Sequence, residues 1–221
     1  FYLPVLKESM LYQRAVGFFS SSALVAISKG IEALIDNGGK IHLIASPRLS
    51  QEDIEEISKG YEVRKIIERA LLRGINTSVS FEENERLSFI AMLIARGILD
   101  IKIAFLCKNN EIAMYHEKMG IMSDAEGNVV AFSGSMNESE NAFSSNYESF
   151  DVFCSWTGDR ERVFQKQMAF QAIWDDYEPG VETIPFPEAV KKKVYSFNSS
   201  LRTRINQPVD DDDMGTKEAM Y

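Results

Sequence analysis

Apolar residues recur along the 221-residue chain in two rhythms. One repeats every three to four residues, as on the buried stripe of an amphipathic helix; the other forms short apolar runs that suit buried strands. Helical spacing opens the chain over 3–12, and Arg14 to Phe19 (RAVGFF) then read as a short buried strand. Ser20, Ser21 and Ser22 offer an N-cap for a helix over 23–36, which Asn37-Gly38-Gly39 ends. Lys40 to Ala45 (KIHLIA) form a second strand, and Ser46-Pro47-Arg48 breaks it. Ser50 caps the next helix, with Asp53 and Glu55 favoured in its first turn. Strand, helix, strand in this order predicts parallel pairing through a crossover.

Two more helices are predicted over 62–73 and 82–97, the second rich in Phe89, Ile90, Leu93 and Ile94. Strands follow over 100–106, 112–116, 118–122 and 129–133, and the acidic, glycine-containing turn at 124–128 suits a hairpin. YESFDVFC (147–154) alternates as a strand, 159–174 returns to helix, and Pro179-Gly180 is expected to stop regular structure. The predicted fold class is α/β, a mixed β-sheet flanked by helices on both faces, without an internal repeat. One domain over 1–178 is expected, with 179–221 as a C-terminal extension or linker.

Composition narrows the class. With 45% hydrophobic and 26% charged residues the chain has the make-up of a soluble globular protein. Its apolar runs fall far short of the ~20 residues that span a bilayer, and it opens without a signal-peptide pattern, so no membrane partner and a cytoplasmic location are expected. Cys107 and Cys154 lack Cys-x-x-Cys spacing and read as small buried hydrophobes in a reducing compartment. A net charge of −9 argues against wrapping nucleic acid over the whole surface but leaves room for a focused basic groove. Lys191, Lys192, Lys193, Arg202 and Arg204 precede the acidic run Asp210 to Asp213 and read as a solvated tail of mixed charge. The first residue is Phe, which suggests a domain of something longer.

Candidate chemistry concentrates between Tyr115 and Glu148. In an extended segment His116 and Lys118 share a face while Glu117 points away, setting a nucleophile or proton carrier beside a fixed cation. Gly134-Ser135-Met136-Asn137 adds neutral hydrogen-bond donors, and Asn146-Tyr147-Glu148 adds a carboxylate. Each motif taken singly is also ordinary strand-end, loop or capping chemistry. His42 reads as a packed or capped histidine among strand residues, because position 44 is Ile and no second His-x-Lys exists there.

The ordered set resembles the phospholipase D superfamily: His-x-Lys-(x)4-Asp, Gly-Ser-x-Asn and, in the nuclease branch, Asn-x-Glu. The match covers His116, Lys118, Gly134, Ser135, Asn137, Asn146 and Glu148. It departs at the Asp, which would fall at Ser123 whereas the acid is Asp124, one residue late and on the other face of a strand unless a bulge intervenes. The GFFSSSAL turn, IHLIASPRLS and EDIEEISKGYE also look like the phospholipase D-like module at the N-terminus of bacterial DEAD/DEAH-type helicases. The chain has no Gly-x-x-x-x-Gly-Lys-Ser/Thr loop, so an ATPase would lie outside it.

The resemblance implies a phosphodiesterase without a metal or other cofactor. His116 would attack phosphorus to give a phosphohistidine, Lys118, Asn137 and Ser135 would bind the non-bridging oxygens, and Glu148 would fix the histidine tautomer. The expected substrate is nucleic acid, DNA more than RNA, cut by a nuclease module of a helicase or restriction/defence system. Single-motif chains of this superfamily share one active site across a homodimer. The alternatives are a lipid phosphodiesterase or phosphatidyltransferase, and a non-catalytic nucleic-acid-binding module.

Overall fold

A computed structural model of the chain describes residues 2–28, 31–59, 62–75, 78–108, 111–134 and 150–205. The sheet grows outward from β1 (Leu11–Phe18), whose LYQRAVGF sequence is buried on both faces, as expected of a strand with a helical layer on each side. β1 pairs in parallel with β2 (Lys40–Ser46), which pairs in parallel with β3 (Leu99–Lys108). On its other edge β1 meets β5 (Met119–Ser123) antiparallel, and β6 (Val129–Gly134) and β7 (Phe150–Cys154) continue the antiparallel half. With β4 (Glu111–Met114) the order is β4-β3-β2-β1-β5-β6-β7, and β8 (Val181–Pro185) also pairs with β3.

Register decides where β4 runs. β8 bonds Lys102 to Leu106 of β3, overlapping both the stretch bonded to β2 and the stretch bonded to β4. A strand residue has only two edges, so β8 lies opposite both partners and β4 takes the edge that β2 leaves after Ala45↔Ile103. The link from β4 to β5 therefore crosses the carboxyl ends of β2 and β1.

Alternation sorts the side chains into two cores. Tyr12, Val16, Leu43, Ala45 and Ile101 pack on one face against α1 (Tyr2–Glu8), α2 (Ser21–Ile27), α3 (Glu32–Asp36), α4 (Gln51–Ser58), α5 (Val63–Gly74), α6 (Phe81–Ala95) and α8 (Glu188–Ile205). Ala15, Ile44, Ala104, Ile121 and Ala131 meet α7 (Arg160–Trp174) on the other, the small alanines making room for Phe170 and Trp174. The expected mixed α/β sheet with helices on both faces is the observed one. Within it, Gly120 lies opposite Phe132, and a Cβ there would come within 2.1 Å of that ring. The buried Arg14, paired with Gly120 across the ladder, sets its guanidinium 5.2 Å from the Phe132 centroid.

Several elements differ from expectation. The helix expected over 3–12 stops at Glu8 and β1 starts at Leu11, three residues earlier than expected, because two neighbouring strands supply its hydrogen bonds. The helix expected over 23–36 is two, α2 and α3; Ser28 donates its hydroxyl to the Val25 carbonyl just after α2. Regular structure does not stop at Pro179-Gly180. Gly180 (φ +82°) leads into β8, and α8 packs Val190, Val194 and Phe197 into the larger core, so residues 181–205 continue the body expected to close at 178.

Candidate active site

The β4–β5 link carries Tyr115-His116-Glu117-Lys118 across the strand ends, and its side chains alternate. Lys118 Nζ lies 3.2 Å from His116 Nδ1 and 3.1 Å from Nε2, so ammonium and imidazole project together. Glu117 faces away and is held: Tyr115 donates its hydroxyl to Glu117 Oε2 at 3.1 Å, and Lys166 of α7 reaches Oε1 at 3.6 Å. Burial first, then the Glu117 charge, pushes the Tyr115 phenol far above its ordinary range, so it stays a hydrogen-bond donor. The expected arrangement of this triplet is therefore observed, and the partners that fix its third member come from outside it.

The sheet brings further groups to the same end. His116 packs against Phe18, the last residue of β1, with ring centroids 6.1 Å apart, and the Arg48 guanidinium lies 4.5 Å over the same Phe18 ring. Phe18 pairs with Ser46 at the end of β2, whose buried hydroxyl has no hydrogen-bond partner among the described residues. Nothing in the sequence signalled that Phe18 would meet His116 or that Arg48 would lie over Phe18. The Pro47-Arg48 break was visible, but its distance from the histidine depends on strand order.

Ser135, Asn137, Asn146 and Glu148 lie outside the described residues. The chain positions that bracket them do not. Gly134 donates its N–H to the Lys118 carbonyl at 3.3 Å and is the cross-strand partner of Phe150. Gly134 and Phe150, the described residues on either side of 135–149, are thus paired with each other next to Lys118.

Asp124 has a different place. β5 and β6 pair without a bulge from Met119↔Ser133 to Ser123↔Val129, and Asp124 follows in the turn. Six residues from Lys118 along a strand is roughly 20 Å. Its carboxylate accepts from the Glu126 and Asn128 N–H groups and from the Asn128 side chain, the last of which does most to lower its pKa. Asp124 closes the hairpin.

His42 also sits apart, on the α7 face of β2, stacked on Trp174 at 4.4 Å with 10° between ring planes. Lys102 lies on the same indole at 4.6 Å and donates to the Trp174 carbonyl. Burial lowers the His42 pKa, opposed by Asp100 and reinforced by Lys102 and Lys40. Among the described residues no three His, Cys, Asp or Glu side chains gather as a metal site, and no helix is long and apolar enough to cross a membrane.

No family model matches the chain, and no curated protein does. Among solved structures it is similar to phosphatidylserine synthase of Haemophilus influenzae Rd KW20, at 11% identity and a TM-score of 0.47, over 92% of this chain and 42% of that one. It is also similar to TrmBL2, described as an archaeal chromatin protein with a novel mode of DNA binding, at 16% identity and a TM-score of 0.38, over 80% of this chain and 47% of that one. The chain spans less than half the length of either.

Proposed function

We propose that the chain is a phosphodiesterase of nucleic acid that works through a phosphohistidine, a nuclease module acting on DNA more than RNA. The observation that carries this reading is the His116–Lys118 pair at the carboxyl ends of the parallel strands, with Gly134, the residue that precedes Ser135 in the sequence, bonded to the Lys118 carbonyl. A phosphodiester is anionic, so a site must neutralise its non-bridging oxygens, supply a nucleophile and protonate the leaving oxygen. Lys118 brings a permanent charge, with Ser135 and Asn137 as further donors. A ring nitrogen of His116 attacks phosphorus, the P–N bond forms, and the P–O bond to the leaving alkoxide breaks. Water then attacks phosphorus, and P–N cleavage returns the imidazole.

Each step needs a second imidazole, first to protonate the leaving oxygen and then to take the proton of the water. His42 is stacked against Trp174 on the α7 face, which favours a packing role for it. We assign the second imidazole to His116 of the partner subunit in a homodimer with one shared site. A helicase domain, if joined to this module, lies outside these residues. The test is plasmid cleavage in excess EDTA, with a search for phosphohistidine in acid-sensitive, base-stable adducts. Cleavage and adduct are expected to survive chelation and vanish in His116→Ala. Activity lost in EDTA and restored by Mg²⁺ or Mn²⁺ would refute the mechanism.

A further inference from the structure

Arg48 is aligned for a role that catalysis at His116 does not itself require. It lines a cavity of about 380 Å³ at the carboxyl ends of β1 and β2, on the face opposite α7, together with Phe18, Ser20, Ser22, Arg73 and Glu83. That volume lies within the ~300–1,000 Å³ of ordinary ligand sites. The cavity and the His116–Lys118 pair share the Phe18 ring, which packs against both His116 and Arg48. The two contacts laid end to end keep the guanidinium within about 11 Å of the imidazole centroid.

The cavity's charges are not equivalent. Arg73 gives its guanidinium to Asp53, and Glu83 accepts from the Ser80 N–H at 2.8 Å. Arg48 is exposed, and among the described residues it has no ion pair or hydrogen bond. A guanidinium over an aromatic face gives the ring no N–H···O hydrogen bond and so has donors left for a second partner, and its planar fork fits two phosphate oxygens. Ser22, 3.0 Å from the Ser20 hydroxyl, adds an exposed hydroxyl to the same wall. We propose that Arg48, held over the Phe18 ring, grips a phosphodiester flanking the one presented to His116, so that the cavity is a backbone subsite for a nucleic-acid strand. The proposal rests on the reading of His116 as the reacting centre; it adds the direction in which the strand leaves.

Binding of a short fluorescent single-stranded oligonucleotide, followed by anisotropy across a salt series in EDTA, tests it. The parent is His116→Ala, which prevents turnover of the probe, and Arg48→Ala, Arg48→Lys and Arg160→Ala are added singly to it. Arg160, exposed on α7, controls for loss of bulk charge. Arg48→Ala is expected to lower the slope of log affinity against log salt by about 0.7, the loss of one phosphate contact on a single strand, and to weaken low-salt binding several-fold. Arg48→Lys should keep most of the slope, and Arg160→Ala all of it. An unchanged slope in Arg48→Ala, an equal loss in Arg160→Ala, or a parent that does not bind overturns the subsite. Cleavage by the wild-type protein is scored separately: binding that depends on Arg48 without cleavage refutes the catalytic reading alone, and cleavage with an Arg48-independent slope refutes the subsite alone.

Discussion

Glu117 and Lys118 adjoin in sequence and are used oppositely. Tyr115 and Lys166 tie the carboxylate into the protein on one side of the link, which leaves the ammonium on the other, against His116. That division of labour makes Lys118 the residue whose loss should act on the chemical step. Lys118→Ala is expected to lower turnover by about 10²- to 10³-fold, typical of removing one transition-state donor, with little change in unfolding temperature. His42→Ala should do the reverse, lowering the unfolding temperature through loss of the Trp174 stack while turnover per folded molecule persists. Steady-state rates and thermal melts on both variants decide the matter. A folded but inactive His42→Ala would make His42 the missing acid.

Between elements, α4 and α5 are joined through Asp53, whose side chain is 1% exposed. Its carboxylate accepts from the Ser50 N–H in a capping box and receives the guanidinium groups of Arg69 and Arg73. Burial alone would raise the Asp53 pKa, but the bonds from Arg73, Ser50 and Arg69 outweigh it and hold the group well below its usual range. The unfolded chain therefore takes up this proton first, near pH 3.9, while the folded chain resists it, so stability is lost as pH falls below about 4. Asp53→Asn is expected to cost about 2–3 kcal/mol at neutral pH, because both arginines stay half-exposed and hydrated, and to flatten the acid dependence. Urea unfolding across pH would show an unaltered acid slope if the account is wrong. The Ser50 cap was legible because capping is local; the arginine pairs, 16 and 20 residues away, were not.

At the scale of the molecule, what could be read and what could not follow the same division. Buried strands such as KIHLIA and VVAF announced themselves, and so did the 124–128 turn, where Gly127 takes φ +85°. VETIP did not, since only Thr183 and Ile184 are buried and its place depends on the distant β3. The pairing of His116 with Lys118 was legible from their spacing, but the approach of Phe18 to His116, and of Arg48 to Phe18, was assembled by strand order. A single His-x-Lys per chain is what the proposed shared dimer site rests on. Mixing wild type with excess His116→Ala, under conditions of subunit exchange, should suppress activity beyond dilution, because heterodimers hold one imidazole of the two. A protein that sediments as a monomer at assay concentration while cleaving at full rate would end that proposal.

β8 has a consequence for anyone who shortens the chain. It occupies one edge of β3, and α8 covers α6 beside it. Ending the polypeptide at 178, where the motif-bearing part is over, would strip the hydrogen-bonding partners from Lys102 to Leu106 and uncover the apolar ground that Ile184, Val190, Val194 and Phe197 occupy. An open strand edge next to an apolar patch recruits other chains. Such a fragment is expected to appear as aggregate on size-exclusion chromatography, whereas one ending after 205 should run as a defined species. A monodisperse, folded fragment 1–178 would show that the last strand and helix are dispensable.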